Sequence, residues 1–87
     1  MNIQSAILEG ARLLKDKSII SAKLDSEILL ASAIERDRKY LILNNDQNIK
    51  EENLRYYQKL ITKRSFREPI AYLTNKKNFW NHKFLVT

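Results

Sequence analysis

Ser21-Ala22-Lys23-Leu24-Asp25-Ser26-Glu27-Ile28-Leu29-Leu30-Ala31-Ser32-Ala33-Ile34 is the stretch that decides the fold. Ser21 is a good N-cap, because its hydroxyl can accept from an orphan backbone N–H. Asp25 and Glu27 lie near the positive end of the helix dipole. Leu24, Ile28, Leu29, Leu30 and Ala31 then give an apolar face broader than a surface helix needs. This helix is predicted to be the most buried, so other helices must surround it.

Working outward, residues 2–15 place Ile3, Ile7, Leu8, Ala11 and Leu14 on one stripe at helical spacing. Gly10 sits inside that helix at a cost of about 1 kcal/mol relative to alanine, which predicts a close approach by a neighbouring helix. A short helix is expected over 37–43, capped by Asp37, ended by Asn44-Asn45 in the left-handed conformation, and turned inward through Tyr40, Leu41 and Leu43. A longer one is expected over 50–66, with Glu51 and Glu52 in its first turn and Lys63 and Arg64 in its last. Its core stripe is Leu54, Tyr57, Leu60 and Ile61, and Ile49 can staple onto Leu54. Pro69 suits the first position of a final helical turn reaching Thr74. Past it, two β-prone runs flank Asn81-His82 and read as a hairpin cut short at Thr87. The expectation is an all-α bundle of four or five helices over 1–74, followed over 75–87 by the start of a β-hairpin linker.

Composition excludes several classes of function. In 87 residues there is no cysteine, one glycine and one proline. Disulfides and thiolate metal sites are ruled out, and a reducing, cytoplasmic setting fits. A chain this short buries roughly 60–65% of its unfolded surface, so its stability margin is thin. A dinucleotide or nucleoside cradle needs several glycines for close backbone approach, so no cofactor-binding residue is assigned. His82 stands alone without a metal partner, so no metal ligand is assigned either. No apolar run approaches the ~20 residues that span a bilayer. The net charge of +6 favours acidic partners, but the basic residues are dispersed, with the densest group at Lys63, Arg64 and Arg67.

Three stretches resemble the N-terminal region of the HemK/PrmC-type glutamine-N5 methyltransferases of peptide-chain release factors. Leu24-Asp25-Ser26-Glu27-Ile28-Leu29-Leu30-Ala31 is similar to the family's Asp-Ala-Glu-Leu-Leu-Leu-Ala helix. Lys63-Arg64-Ser65-Phe66-Arg67-Glu68-Pro69-Ile70-Ala71-Tyr72-Leu73 resembles its basic pair, Glu-Pro and apolar-Ala-Tyr. Asn78-Phe79-Trp80-Asn81 resembles its Glu-Phe-Trp-Gly hairpin. Asn75 and Asn81 stand where the family usually has glycine, and Asn is the next best residue at positive φ.

The resemblance implies a helical substrate-recognition domain, a hairpin linker, and a separate methyltransferase domain that binds S-adenosylmethionine. The implied partners are class 1 release factors and the C-terminal catalytic domain of the same chain, with the protein monomeric. No catalytic residue of the family maps onto these positions. Lys63, Arg64 and Arg67 are candidates for contact with acidic groups of the partner or with RNA phosphate; favourable charge at a helix C-terminus explains them equally well. Glu68, Pro69, Tyr72, Phe79 and Trp80 are candidates for the junction between domains. Two rival readings stay open: a free-standing basic module that binds nucleic acid, and a purely architectural role steadying the catalytic half.

Overall fold

A computed structural model describes residues 1–74. Four helices, α1 (Ile3–Asp16), α2 (Ala22–Ile34), α3 (Arg38–Leu43) and α4 (Glu51–Ser65), are followed by a helical turn, α5, over residues 70–74. The all-α expectation holds. The hairpin expected over 75–87 lies outside the described residues.

The centre of the bundle is α2, which packs on α1, α3 and α4. Leu29 and Leu30 are fully buried, with Ala22, Ala31 and Ala33 beside them. A helix enclosed on three sides has to be apolar almost all round. From the other elements Ile3, Ala6, Leu14, Leu41, Tyr57, Leu60, Ile61 and Leu73 complete the core. The apolar stripes are rotated from the sequence-based expectation at three places. Leu8 is 58% exposed, Leu24 43% and Leu43 71%, whereas Ala6 and Gly10 fill the buried side of α1. Small residues win there because the helices approach too closely for leucine.

Gly10 marks that approach. A Cβ built on it would collide with the Tyr57 hydroxyl, lie 2.8 Å from Ser26 Oγ and 3.0 Å from Ile61 Cδ1. The two hydroxyls are buried together: Ser26 Oγ and Tyr57 Oη lie 2.6 Å apart, Ser26 reaches Ile7 O at 2.9 Å, and Tyr57 reaches Ala6 O at 2.8 Å. Two hydroxyl protons cannot fill three contacts. Either Tyr57 donates to Ser26 and Ser26 to Ile7 O, or Ser26 donates to Tyr57 and Tyr57 to Ala6 O. Both carbonyls belong to α1 and already accept helical N–H groups, so neither arrangement leaves one orphaned.

Helix ends account for their backbone groups. Ile3 and Gln4 at the start of α1 donate to Gln47 O and Asn45 O in the α3–α4 loop, at 2.9 Å each, and Ser5 N donates to the Asn2 side chain at 2.8 Å. Asp37 caps α3 as expected, accepting from Tyr40 N at 2.9 Å. Three C-termini close in Schellman turns, with Ser18 (φ 62°), Glu35 (φ 60°) and Arg67 (φ 70°) in the left-handed position usually held by glycine. Ile19, just past Ser18, is buried like Leu14 and donates to its carbonyl at 3.1 Å, which is the apolar accompaniment of such a turn. Asn44, by contrast, ends α3 at φ −125°, outside the left-handed region expected for it. Pro69 stands one position before α5, its carbonyl accepting from Leu73 N at 3.1 Å.

Replacing Gly10 with alanine should lower stability by roughly 1–3 kcal/mol through overpacking, despite about 1 kcal/mol of helix propensity gained. In a Tyr57→Phe background, which removes the colliding oxygen, the loss should shrink; a double-mutant cycle by chemical denaturation measures the coupling. Burial pushes the Tyr57 phenol up to about 12, with the Ser26 hydrogen bond opposing and the Glu9 carboxylate adding to the rise. The unfolded chain loses this proton near pH 10, so between pH 10 and 12 the unfolded state binds fewer protons and stability falls as pH rises, by about 2–3 kcal/mol in all. Denaturation curves across that range should show the fall in the wild type and a smaller one in Tyr57→Phe.

Candidate functional site

The two sequence stretches richest in charged and apolar signals, 24–31 and 63–73, meet at a buried ion pair. Asp25 is carried on the first turns of α2 with its side chain 5% exposed, and Arg64 reaches it from the last turn of α4, 19% exposed. Arg64 Nε donates to Asp25 Oδ2 at 2.9 Å, and Ser21 Oγ donates to the same oxygen at 2.9 Å. Ser21 therefore serves the carboxylate and makes no side-chain capping bond to a backbone N–H, contrary to the sequence-based expectation. A carboxylate taken out of water needs donors more than a helix end partly open to solvent does.

The remaining face of the guanidinium closes the next turn: Arg64 Nη1 donates to Glu68 O at 2.8 Å. Glu68 immediately precedes Pro69, so the ion pair sets the direction in which α5 leaves. Arg67, held at positive φ, swings its side chain back to the α1–α2 loop and donates from Nη2 to Lys17 O at 3.0 Å and to Ser18 O at 3.4 Å. Four segments are thus fastened at one end of the bundle: the α1–α2 loop, the start of α2, the end of α4 and the α4–α5 turn. Phe66 and Tyr72, on either side of this turn, are 74% and 55% exposed.

Of the three cations proposed for partner contact, Arg64 and Arg67 are engaged within the bundle. Lys63 is half-buried and makes no ion pair among the described residues. The densest basic group in the sequence is therefore not a continuous basic face. Of the proposed junction residues, Glu68 contributes a carbonyl to the clamp, Pro69 follows it and Tyr72 is exposed on α5; Phe79 and Trp80 lie outside the described residues. Sequence reasoning missed Asp25 as the partner of Arg64. The available signal was an acid set among Leu24, Ile28 and Leu29 on a helix predicted to be buried, which requires a cation from elsewhere. Tyr40 sits at the rim, with Arg36 4.9 Å above its ring and its hydroxyl donating to Gln47 at 2.7 Å.

The single glycine is spent on helix packing, and no described cluster of three His, Asp or Glu could hold a metal. Among the described residues no helix is long and apolar enough to cross a membrane. What the site can do is hold a turn rigid and present side chains.

A family model described as the PrmC N-terminal domain matches residues 5–74. The chain is 36% identical over 98% of its length to a release factor glutamine methyltransferase of Leptospira interrogans and 33% identical over 99% to one of Clostridium botulinum, spanning 30% of each. It is also 31% identical over 98% of its length to a bifunctional methyltransferase of Rickettsia conorii, of which it spans 16%. The chain thus covers less than a third of these relatives. No solved structure is significantly similar to it.

Breaking the clamp from one side should cost more than replacing both partners. Asp25→Ala or Arg64→Ala should each destabilise by roughly 3 kcal/mol, because a buried charge is left alone, whereas Asp25→Leu with Arg64→Met should recover much of that loss. Thermal and urea denaturation of the four chains checks the order.

Proposed function

Because the chain belongs to the PrmC N-terminal domain family, we propose that it is the substrate-recognition domain of an S-adenosylmethionine-dependent methyltransferase. The enzyme would modify the glutamine of the Gly-Gly-Gln motif in class 1 peptide-chain release factors. In this reading residues 1–74 grip the release factor, and residues 75–87 lead to a catalytic domain that holds the methyl donor. The observation that carries it is similarity along nearly the full chain to proteins named as release factor glutamine methyltransferases.

The chemistry gives the bundle its task. An amide nitrogen is a poor nucleophile, its lone pair being delocalised into the carbonyl. Methylating it demands that the amide be held in place, and a short loop supplies little binding energy for that. Contacts to remote parts of a protein substrate supply what the loop lacks. The Asp25–Arg64 clamp fits this role as a positioning device: it fixes the turn at Glu68-Pro69 through which the bundle would connect to the catalytic half. Phe66 and Tyr72 then form the edge against which that half would rest.

Removing residues 1–74 from the parent enzyme should raise KM for intact release factor by tenfold or so, while methylation of a short Gly-Gly-Gln peptide changes little. A lowered melting temperature with an unchanged KM would instead identify an architectural role and defeat the proposal.

A further inference from the structure

A groove of about 210 Å³ runs between α1, α2 and α3, on a part of the surface to which α4 and α5 contribute no lining residue. Ile7 and Leu41 line its depth, and Leu8 and Ile42 stand at its edge, 58% and 69% exposed. Lys23 and Arg38 complete the rim. Arg38 is paired with Glu27 at 2.9 Å, whereas Lys23 makes no ion pair among the described residues. Two large apolar side chains exposed at one groove over an apolar floor form a patch, unlike solitary surface leucines. The volume falls below the roughly 300–1,000 Å³ of small-molecule sites, so it suits one protruding side chain better than an enclosed metabolite. A second cleft, between α1 and α4, has Glu9 as its one charged side chain and is lined by no Lys or Arg.

We propose that the α1–α2–α3 groove is where the protein partner docks, seating one large apolar side chain of a segment that carries a carboxylate placed to meet Lys23. The charge of the rim argues for this occupant: Lys23 and Arg38 against Glu27 leave a net positive edge, on a chain of net charge +6. The assignment rests on the release-factor reading and names the surface for it. The groove and the Asp25–Arg64 clamp draw on different residues, so a partner can occupy one while the rest of the protein rests on the other.

The test titrates the full 87-residue chain, with isotope-labelled leucine and isoleucine methyls, against a purified class 1 release factor. The signals of Leu8, Leu41 and Ile42 should broaden first. Leu8→Glu and Ile42→Glu should each weaken binding about tenfold or more, as removal of an interface anchor does. Lys23→Glu should weaken it further with added salt mattering less, and Lys23→Arg should retain wild-type binding. Ile20→Glu, at a fully exposed position outside the groove, should leave binding unchanged; melting curves of all variants should overlay. Wild-type binding that every groove variant preserves overturns the groove and leaves recognition standing. Absence of any release-factor binding, or binding to RNA alone with steep salt dependence, overturns both.

Discussion

The bundle depends on one close approach. At Gly10 the backbone of α1 comes so near α2 and α4 that no side chain fits between them. Dispersion contact there is gained at the cost of burying two hydroxyls, Ser26 and Tyr57, away from the surface. They are tolerable because each has the other, and because α1 turns the carbonyls of Ala6 and Ile7 toward them. The same contact fixes the rotation of α1. Once Ala6 and Gly10 face inward, Leu8 must face outward, which is how a large apolar residue ends up at a groove edge.

Much of this was legible in the sequence, for physical reasons. Helix positions followed from apolar spacing, and the tight contact at Gly10 from the cost of a glycine in mid-helix. Asp37 announced itself as a cap. The remainder was hidden by two circumstances. First, Ser18, Glu35 and Arg67 occupy left-handed positions without the glycine that signals them; local hydrogen bonding and buried neighbours such as Ile19 hold these turns, and those contacts are tertiary. Second, Asp25 and Arg64 are 39 residues apart. Each has a sufficient local explanation as a charge near a helix end, and their pairing appears only when α2 and α4 are laid side by side. Local charge rules were satisfied and gave no reason to look for a partner.

That pairing also changes how the basic residues are understood. Counted in the sequence, Lys63, Arg64 and Arg67 are the strongest case for a polyanion site. In the fold two of the three spend hydrogen bonds on the chain's own groups: Arg64, part-buried, on Asp25 and Glu68, and Arg67, at the surface, on Lys17 and Ser18. A phosphate backbone would have to compete with a buried carboxylate for Arg64. At the proposed docking groove the cation that makes no ion pair among the described residues is instead Lys23, which the sequence did not distinguish from any other surface lysine.

A small rigid body can raise the reactivity of a distant amide only if its two attachments are both stiff. A partner held at one surface gains nothing if the connection to the reacting centre is loose, because the lost freedom is then regained at the linker. In the proposed enzyme the connection would begin at a turn that is tied three ways: Arg64 to Glu68, Arg67 to the α1–α2 loop, and Leu73 of α5 buried in the core. Such a turn transmits orientation. The expense of burying Asp25 is then intelligible, since a pair of leucines would fill the space with similar stability but would not aim the chain at Pro69.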